Sequence, residues 1–300
     1  MITVLAPAAL ATFAAIFWGV WWIPVRYLET LGLQGAWAGL VMNLGAFLLA
    51  ATWVLLRGIR LRIDARAVAG AAFIGLAVTF YSTALNHTDV VRAVLLFYLA
   101  PVWSKILERV FLRMPWRWTS TMALAAALAG ACLVLGGRVS IDSLNLGDLL
   151  SLASGMAWSA GAALTFAGRS TNTISLTTVT AFFAVLAAVP FAWASGLPDS
   201  GRELGLAMPV GIGTGVVYVL PIMMMTLWSA RRLAPTTLTF LLTAEIVSGV
   251  ASSAILLDEP FGAMQLSGAV LIVIAAMSEI LFQRGRPAME TPDFPNPGRE

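Results

Sequence analysis

Residues 234–260 decide how the rest of the chain is interpreted, and they read APTTLTFLLTAEIVSGVASSAILLDEP. The run is apolar and long enough to cross a bilayer. Two arginines precede it, two acidic residues end it, and Glu245 lies near its centre. A carboxylate at that depth is costly unless it is paired, protonated or in contact with water. The segment is therefore a predicted membrane helix and the first place to look for function.

The composition predicts an integral membrane protein whose main partner is the lipid bilayer. Of the 300 residues, 59% are hydrophobic and 11% charged, and the mean hydropathy of +0.87 argues against a soluble surface. The net charge of +3 comes from residues that separate apolar runs, so nucleic acid is not an expected partner. One His and a single Cys132 offer no basis for a zinc site or an internal disulfide. We expect no metal and no cofactor.

Apolar runs between charge or turn clusters predict an all-α fold of ten transmembrane helices. The first run has no Lys or Arg before Arg26, so it is predicted to be a retained helix and not a cleaved signal peptide. Residues 284–300 are rich in Pro and charge and predict a disordered cytoplasmic tail. The ten predicted spans are 8–27, 36–56, 67–86, 90–112, 118–136, 146–166, 174–194, 208–228, 234–257 and 263–282.

Two sequence shifts indicate an internal repeat. A shift of 145 positions lays residues 234–260 on residues 89–115 and places Glu245 opposite Ala100. A shift of 140 lays Trp158 on Trp18, each in a segment with small residues at every fourth position. We therefore expect two five-helix halves, residues 1–140 and 141–283.

The distribution of Lys and Arg predicts the orientation, because these residues favour cytoplasmic loops. An even number of spans puts both termini on one side, and that side then holds fourteen of the eighteen basic residues. An odd number of spans in each half makes the repeat inverted. The fourteen are Arg57, Arg60, Arg62, Arg66, Lys105, Arg109, Arg113, Arg117, Arg169, Arg231, Arg232, Arg284, Arg286 and Arg299, and the other four are Arg26, Arg92, Arg138 and Arg202.

Several stretches resemble the drug/metabolite transporter superfamily and, within it, the EamA-type exporters. They are FWGVWWIPVRY (17–27) with its echo MAWSAGAAL (156–164), the repeat ends FLRMP (111–115) and LLDEP (256–260), and QLSGAVLIVIAA (265–276). Ile246 replaces the proline that usually follows the mid-helix Glu, and Met114 replaces the Glu that usually precedes the FLRMP proline. The resemblance implies export across a bacterial inner membrane and is closest to the aromatic amino-acid exporters.

Glu245 has two interpretations. As a functional group it couples transport to protons or binds a substrate amine. As a structural group it stays protonated and donates a hydrogen bond to a helix carbonyl or a Thr.

Aromatic and hydroxyl side chains at mid-span are the candidate substrate contacts. Aromatic faces stack on flat or apolar substrates. The alternative for each of these rings is that it fills the core or faces lipid. Thr239 and Thr243 share a helix face near Glu245, where hydroxyl groups also serve as helix glue. The aromatic candidates are Trp18, Trp21, Trp22, Tyr81, Tyr98, Trp103, Trp158 and Tyr218.

Two further features of the spans carry expectations. Pro101 and Pro221 interrupt predicted spans and are candidate hinges, since each removes a backbone donor. Lys105 and Glu108, three residues apart, are expected to pair and extend to the membrane interface.

Alternating access about a midplane cavity is the function these features predict, with small neutral or zwitterionic metabolites, aromatic amino acids included, as substrates. Phosphate-bearing substrates are disfavoured because basic residues are absent from the middle of the spans, apart from Lys105, which lies near an end. Apolar amines or other solutes remain an alternative, as does an intramembrane enzyme, although no nucleophile, base or metal motif occurs within the spans. The exact substrate, net direction, coupling ion and oligomeric state stay open, with protons as one possible coupling ion.

The charge distribution makes a topology prediction. A single cysteine at Arg62, in a Cys132→Ser background, should resist an impermeant thiol reagent in intact cells and react in inside-out vesicles. Strong labelling from outside the cell would contradict a cytoplasmic location of both termini.

Overall fold

The computed structural model describes residues 2–34, 36–85, 87–88, 93, 96–115, 118–134, 145–168, 171–198, 204–257 and 262–283. Within these ranges the chain is helical and contains no strand. The helices are α1 (Ile2–Gly19), α2 (Trp22–Thr30), α3 (Ala36–Leu56), α4 (Ala65–Ala84), α5 (Ala100–Val110), α6 (Trp118–Val134), α7 (Leu146–Ala167), α8 (Thr173–Ala194), α9 (Leu204–Thr214), α10 (Leu220–Ala230), α11 (Pro235–Leu242), α12 (Ala244–Leu257) and α13 (Ala263–Gln283).

Seven helical segments are long and apolar enough to cross a bilayer, judged by length and composition. They are Ala6–Thr30, Ala36–Leu56, Ala65–Ala84, Leu146–Ala167, Thr173–Ala194, Gly205–Ala230 and Pro235–Leu256. The predicted fifth and tenth spans correspond to shorter apolar helices, Thr121–Val134 and Ala263–Ala275. Of the predicted fourth span, residues 90–112, the structure describes helix α5 and only part of the chain that precedes this helix. A count of ten spans therefore stays a prediction, and the predicted tail lies outside the described residues.

The helices of the first half pack mainly against helices of the second. Helix α4 packs against α7 and α8, α3 against α8 and α9, and α1 against α10, α11 and α12. The last described helix of each half, α6 and α13, pack against each other. One large apolar cluster runs through α1, α3, α4, α7, α8, α10 and α11. This interlocking buries small and apolar side chains mainly between the halves.

The α4–α7 contact is close because of paired small residues. A Cβ added to Gly161 would lie 2.6 Å from Ile74 Cγ1 and 2.9 Å from the Gly70 carbonyl oxygen. The two backbones therefore touch, as in small-residue crossings of membrane helices. Nearer the middle of α7, the Ser154 hydroxyl donates to the Ala77 carbonyl at 2.7 Å.

Hydrogen bonds join the two halves at both ends of the bundle. At one end, which we call the arginine-rich end, the Asn172 N–H donates to the Arg62 carbonyl at 3.1 Å. Arg231 also lies there, where burial lowers the pKa of its guanidinium and the Asp64 carboxylate opposes that shift. At the opposite end the Trp37 indole donates to the Gly196 carbonyl at 2.8 Å.

Three of the helical rods are interrupted near their middle. Turns separate α1 from α2 at residues 20–21 and precede α5 at residues 98–99, and Thr243 separates α11 from α12. A fourth irregularity, the π-helical segment Gly215–Val219, lies between α9 and α10. The break at Thr243 and the break at Tyr98 are equivalent under the shift of 145 residues.

Glycine substitutions test the close α4–α7 contact. Gly161→Ala should lower the free energy of unfolding of the detergent-solubilised protein by about 1–3 kcal/mol, because the new methyl group meets the Ile74 side chain and the Gly70 carbonyl. Gly205→Ala is the matched control, since nothing lies within 4 Å of an added Cβ there. It should be neutral, or stabilising by up to about 1 kcal/mol through helix propensity. Equal losses in both variants would contradict the described packing.

Candidate functional site

Glu245 lies in the first turn of α12, immediately after the break at Thr243. Its carboxyl group interacts electrostatically with the phenol groups of Tyr81, Tyr98 and Tyr218. These tyrosines come from three other parts of the bundle, so the carboxyl group points inward and not toward lipid. The residue is nevertheless only half-buried.

An aromatic cluster contributed by α1 and the π-helical segment flanks this carboxylate on one side. The Trp18 and Trp21 ring centroids are 5.2 Å apart, and those of Trp21 and Tyr218 are 6.1 Å apart. The Tyr218 hydroxyl donates to the carbonyl of Phe17. The Trp18 indole N–H donates to Thr226 Oγ1 at 3.1 Å. These bonds hold the rings of the cluster in place at the break between α1 and α2.

A second aromatic cluster, formed by α4 and the turn before α5, interacts electrostatically with the same carboxyl group through Tyr81 and Tyr98. The Tyr81 and Phe97 centroids are 4.9 Å apart, and those of Phe97 and Tyr98 are 5.4 Å apart. Phe97 belongs to both the large apolar cluster and a smaller one that contains Ile246. Glu245 is thus placed between aromatic groups from both halves of the chain.

Gly19 allows α1 to approach the carboxylate-bearing helix. A Cβ on Gly19 would overlap Ser248 Oγ and the Glu245 carbonyl oxygen. The repeat predicts the same crossing between α7 and α5, and there the Ser159 hydroxyl donates to the Ala100 carbonyl at 2.7 Å. Gly19 and Ser159 are equivalent under the shift of 140, and Glu245 and Ala100 under the shift of 145.

Three aromatic candidates have polar groups without a partner among the described residues. They are the Tyr98 hydroxyl and the indole N–H groups of Trp103 and Trp158. The Tyr98 hydroxyl is directed at the Glu245 carboxyl but does not reach normal hydrogen-bond geometry. Tyr98 is 2% exposed and Trp158 7% exposed. Buried donors are normally satisfied, so these three are groups that a bound molecule would complete.

The remaining candidates make structural contacts. The Trp22 indole donates to Ser252 Oγ at 3.1 Å, which ties α2 to α12. Thr239 and Thr243 are buried, and each hydroxyl donates at 2.7 Å to a carbonyl of its own helical segment. Thr239 also contacts Ser104 at 3.0 Å across the α5–α11 interface. A substrate contact by these residues stays a prediction, and the observed geometry gives them a packing role.

The two candidate hinge prolines each lie in the first turn of a helix. Pro101 follows the break at residues 98–99 at the start of α5, and Pro221 follows the π-helical segment at the start of α10. Proline is well accommodated at these positions because its missing N–H needs no partner there. The irregular backbone therefore precedes each proline, and hinge motion remains a prediction.

The expectation that Lys105 and Glu108 extend to the interface is wrong. Lys105 is 5% exposed and Glu108 is 7% exposed. Glu108 points into the contact between α5 and α11, where a backbone N–H donates to its carboxylate. The sequence placed them near a helix end but could not show that a second helix begins against that end.

Reasoning from sequence missed Phe17 and Phe97. The two phenylalanines carry no polar group, so nothing in the sequence separates them from lipid-facing ones. Gly19 was predicted, as one of the small residues at every fourth position, to lie at a close helix contact, but its approach to the Glu245 backbone was not. The described residues contain no group of three or more His, Cys, Asp or Glu arranged to hold a metal ion.

Comparison with known proteins identifies the family. The model of the EamA-like transporter family matches residues 5–136 and again residues 145–278. The chain belongs to the EamA-like transporter family. It is therefore a multi-pass membrane transporter of small solutes, and the resemblance found in the sequence is confirmed.

One solved crystal structure is similar over 92% of this transporter and 97% of its own chain, with a TM-score of 0.66 and 21% sequence identity. At that identity the likeness extends to the fold alone. Among curated proteins, none matches the chain.

The Tyr98 hydroxyl, which faces the Glu245 carboxyl, leads to a prediction about stability and binding. Tyr98→Phe should lower the free energy of unfolding of the transporter by less than about 1 kcal/mol, because the hydroxyl and the carboxyl do not reach normal hydrogen-bond geometry. The same change should weaken substrate binding if the hydroxyl contacts the solute. Thr226→Val is the control, since it leaves the Trp18 indole unpaired and should cost about 1 kcal/mol of stability. A larger loss of stability in Tyr98→Phe than in Thr226→Val would contradict the described site.

Proposed function

We propose that this protein is a secondary transporter that exports amino acids, aromatic ones included, from the bacterial cytoplasm. The observation that carries the proposal is Glu245, an inward-pointing carboxylate near two aromatic clusters, in which Tyr218 comes from the second half of the chain and the other rings come from the first. Such a site suits a molecule that has one positive charge and a flat or apolar side chain.

The chemistry of the site suits each part of an amino acid. The ammonium group meets the Glu245 carboxylate and the faces of neighbouring rings, where a cation–π contact is worth about 0.5–2 kcal/mol. The side chain stacks on the cluster of Trp18, Trp21 and Tyr218. The substrate carboxylate accepts hydrogen bonds from partnerless donors, of which the Trp158 indole is one.

Alternating access is the transport mechanism we propose, with ten spans in two inverted halves and both termini in the cytoplasm. The matched crossings at Gly19 and at Ser159 support two halves built alike. The equivalent breaks at Tyr98 and Thr243 give each half a place to bend beside the site. Rocking of one half against the other then exposes Glu245 to one side of the membrane at a time.

Proton exchange supplies the driving force in this proposal. A carboxylate in a dry site favours its neutral form, and one in an open cavity is able to ionise. Glu245 then binds a proton in one state and exchanges it for the substrate's ammonium in the other.

An apolar amine is the second candidate substrate, because a carboxylate among aromatic rings recognises the amine without needing a substrate carboxylate. The two substrates differ in their use of the indole N–H of Trp158. Export of an amino acid, but not of the matching amine, should depend on that donor.

Replacement of Glu245 by Gln tests the proposal in proteoliposomes. A screen of amino acids and of their decarboxylated amines, with and without a pH gradient, first identifies the transported solute. Glu245→Gln keeps the size of the side chain and removes its titration. Accumulation driven by the pH gradient should be lost, and exchange of substrate without a gradient should survive.

The matched control is Glu29→Gln, which changes a carboxylate on α2 outside the site. It should leave both activities unchanged. Transport by Glu245→Gln that still follows an imposed pH gradient would assign the carboxylate to packing. Failure of every tested amino acid and amine to move would contradict the proposed substrate classes.

A further inference from the structure

A buried carboxylate joins the two halves at the arginine-rich end, well away from Glu245 along the sequence. The Glu108 carboxylate on α5 accepts a hydrogen bond from the backbone N–H of Thr236 at 2.7 Å. Thr236 is in the first turn of α11, whose leading N–H groups have no partner within their own helix. A carboxylate from the first half thus caps a helix of the second half.

This contact is strong by the nature of its groups. Hydrogen bonds to an ionised carboxylate are roughly twice as strong as neutral ones. The N-terminus of a helix carries a partial positive charge, which further favours the anion. Glu108 is 7% exposed, so water competes little for the bond. This single hydrogen bond therefore stabilises the contact between α5 and α11 at this end of the two helices.

The same interface closes further along both helices. One turn before Glu108, the Ser104 hydroxyl contacts the Thr239 hydroxyl at 3.0 Å, and both residues are buried. Lys105 lies next to Ser104 and is also buried. Helix α11 leads directly to the break at Thr243 and to Glu245. A route from the arginine-rich end to the site between these two helices is shut by this row of contacts.

We propose that Glu108 is the latch of a gate between α5 and α11, which keeps the site closed from the arginine-rich end and must release Thr236 for the site to open there. The inference rests on the proposed alternating access and adds to it the contact that breaks. Glu108 acts through α11, so it is a positioning residue and does not contact substrate.

The latch belongs to one end of the bundle. The shift of 145 residues places Val250 and Ser253 at the positions equivalent to Lys105 and Glu108, so the repeat supplies no charged pair there. At the opposite end the halves are joined by other contacts, among them the Thr88 hydroxyl, which follows α4 and donates to Asp148 Oδ1 of α7 at 3.0 Å. The two ends therefore close by different contacts, and each can be altered separately.

Side-specific labelling of a buried cysteine tests the latch. Ser104→Cys in a Cys132→Ser background places a thiol behind Glu108, and a cysteine at Arg62 identifies the vesicle face that carries the arginine-rich end. Glu108→Leu removes the acceptor for Thr236. Labelling of the cysteine at position 104 by an impermeant maleimide should rise about tenfold from the arginine-rich face, as expected for a lost hydrogen bond to a charged group. Labelling from the other face should not rise.

Two further variants keep the test decisive. Glu108→Gln retains an acceptor without the charge and should give a smaller rise from the same face, which also decides the matter if Glu108→Leu does not fold. Asp148→Asn changes the carboxylate at the opposite end and should leave labelling from the arginine-rich face at the parent rate. Parent rates in both Glu108 variants, or equal rises from both faces, would overturn the latch. The labelling needs no solute, so this result is independent of whether amino acids are transported.

Discussion

The absence of water within the bilayer is the constraint on which this structure depends. Every backbone N–H and C=O at that depth needs a partner, so a helix is broken only where its neighbours restore the lost bonds. At the break after α1, the Val20 N–H turns to the Phe17 carbonyl at 3.2 Å, and the Tyr218 hydroxyl donates to the same oxygen. At Thr243, bonds to residues three positions earlier bridge α11 and α12. The candidate site lies at these breaks because only there does the backbone leave room for side chains to converge.

Much of the fold follows from the sequence because length and apolar character alone define a span. The sequence also predicted that Glu245 would be central, since an isolated charge is conspicuous in an apolar run. It selected Trp18, Tyr98 and Tyr218 by their depth, and their role in substrate binding stays a prediction. It could not select among apolar side chains, because a helix that is apolar on every face has no periodicity to show which residues point inward. Phe17 and Phe97 were missed for that reason.

Polar residues near helix ends were harder to interpret. A threonine in a membrane helix is satisfied either by a carbonyl of its own helix or by another molecule, and the sequence is the same in both cases. Thr239 and Thr243 take the first course. Lys105 and Glu108 lie near the predicted end of a span, where a few residues along the helix separate the membrane–water interface from the protein interior. Their burial depends on α11 starting against them, which is a property of the tertiary fold and has no local signature.

The approach of α1 to α12 has an evolutionary consequence. Because an added Cβ on Gly19 would overlap both Ser248 and the Glu245 backbone, neither helix is able to change its surface at this point alone. Related chains should therefore show substitutions at position 19 together with compensating changes at positions 248 and 249. The rings around the carboxylate are free of that restriction and can diverge as the transported solute changes. Positions that change together would then identify the helix contacts that maintain the fold. Positions that change independently would identify residues that set substrate preference.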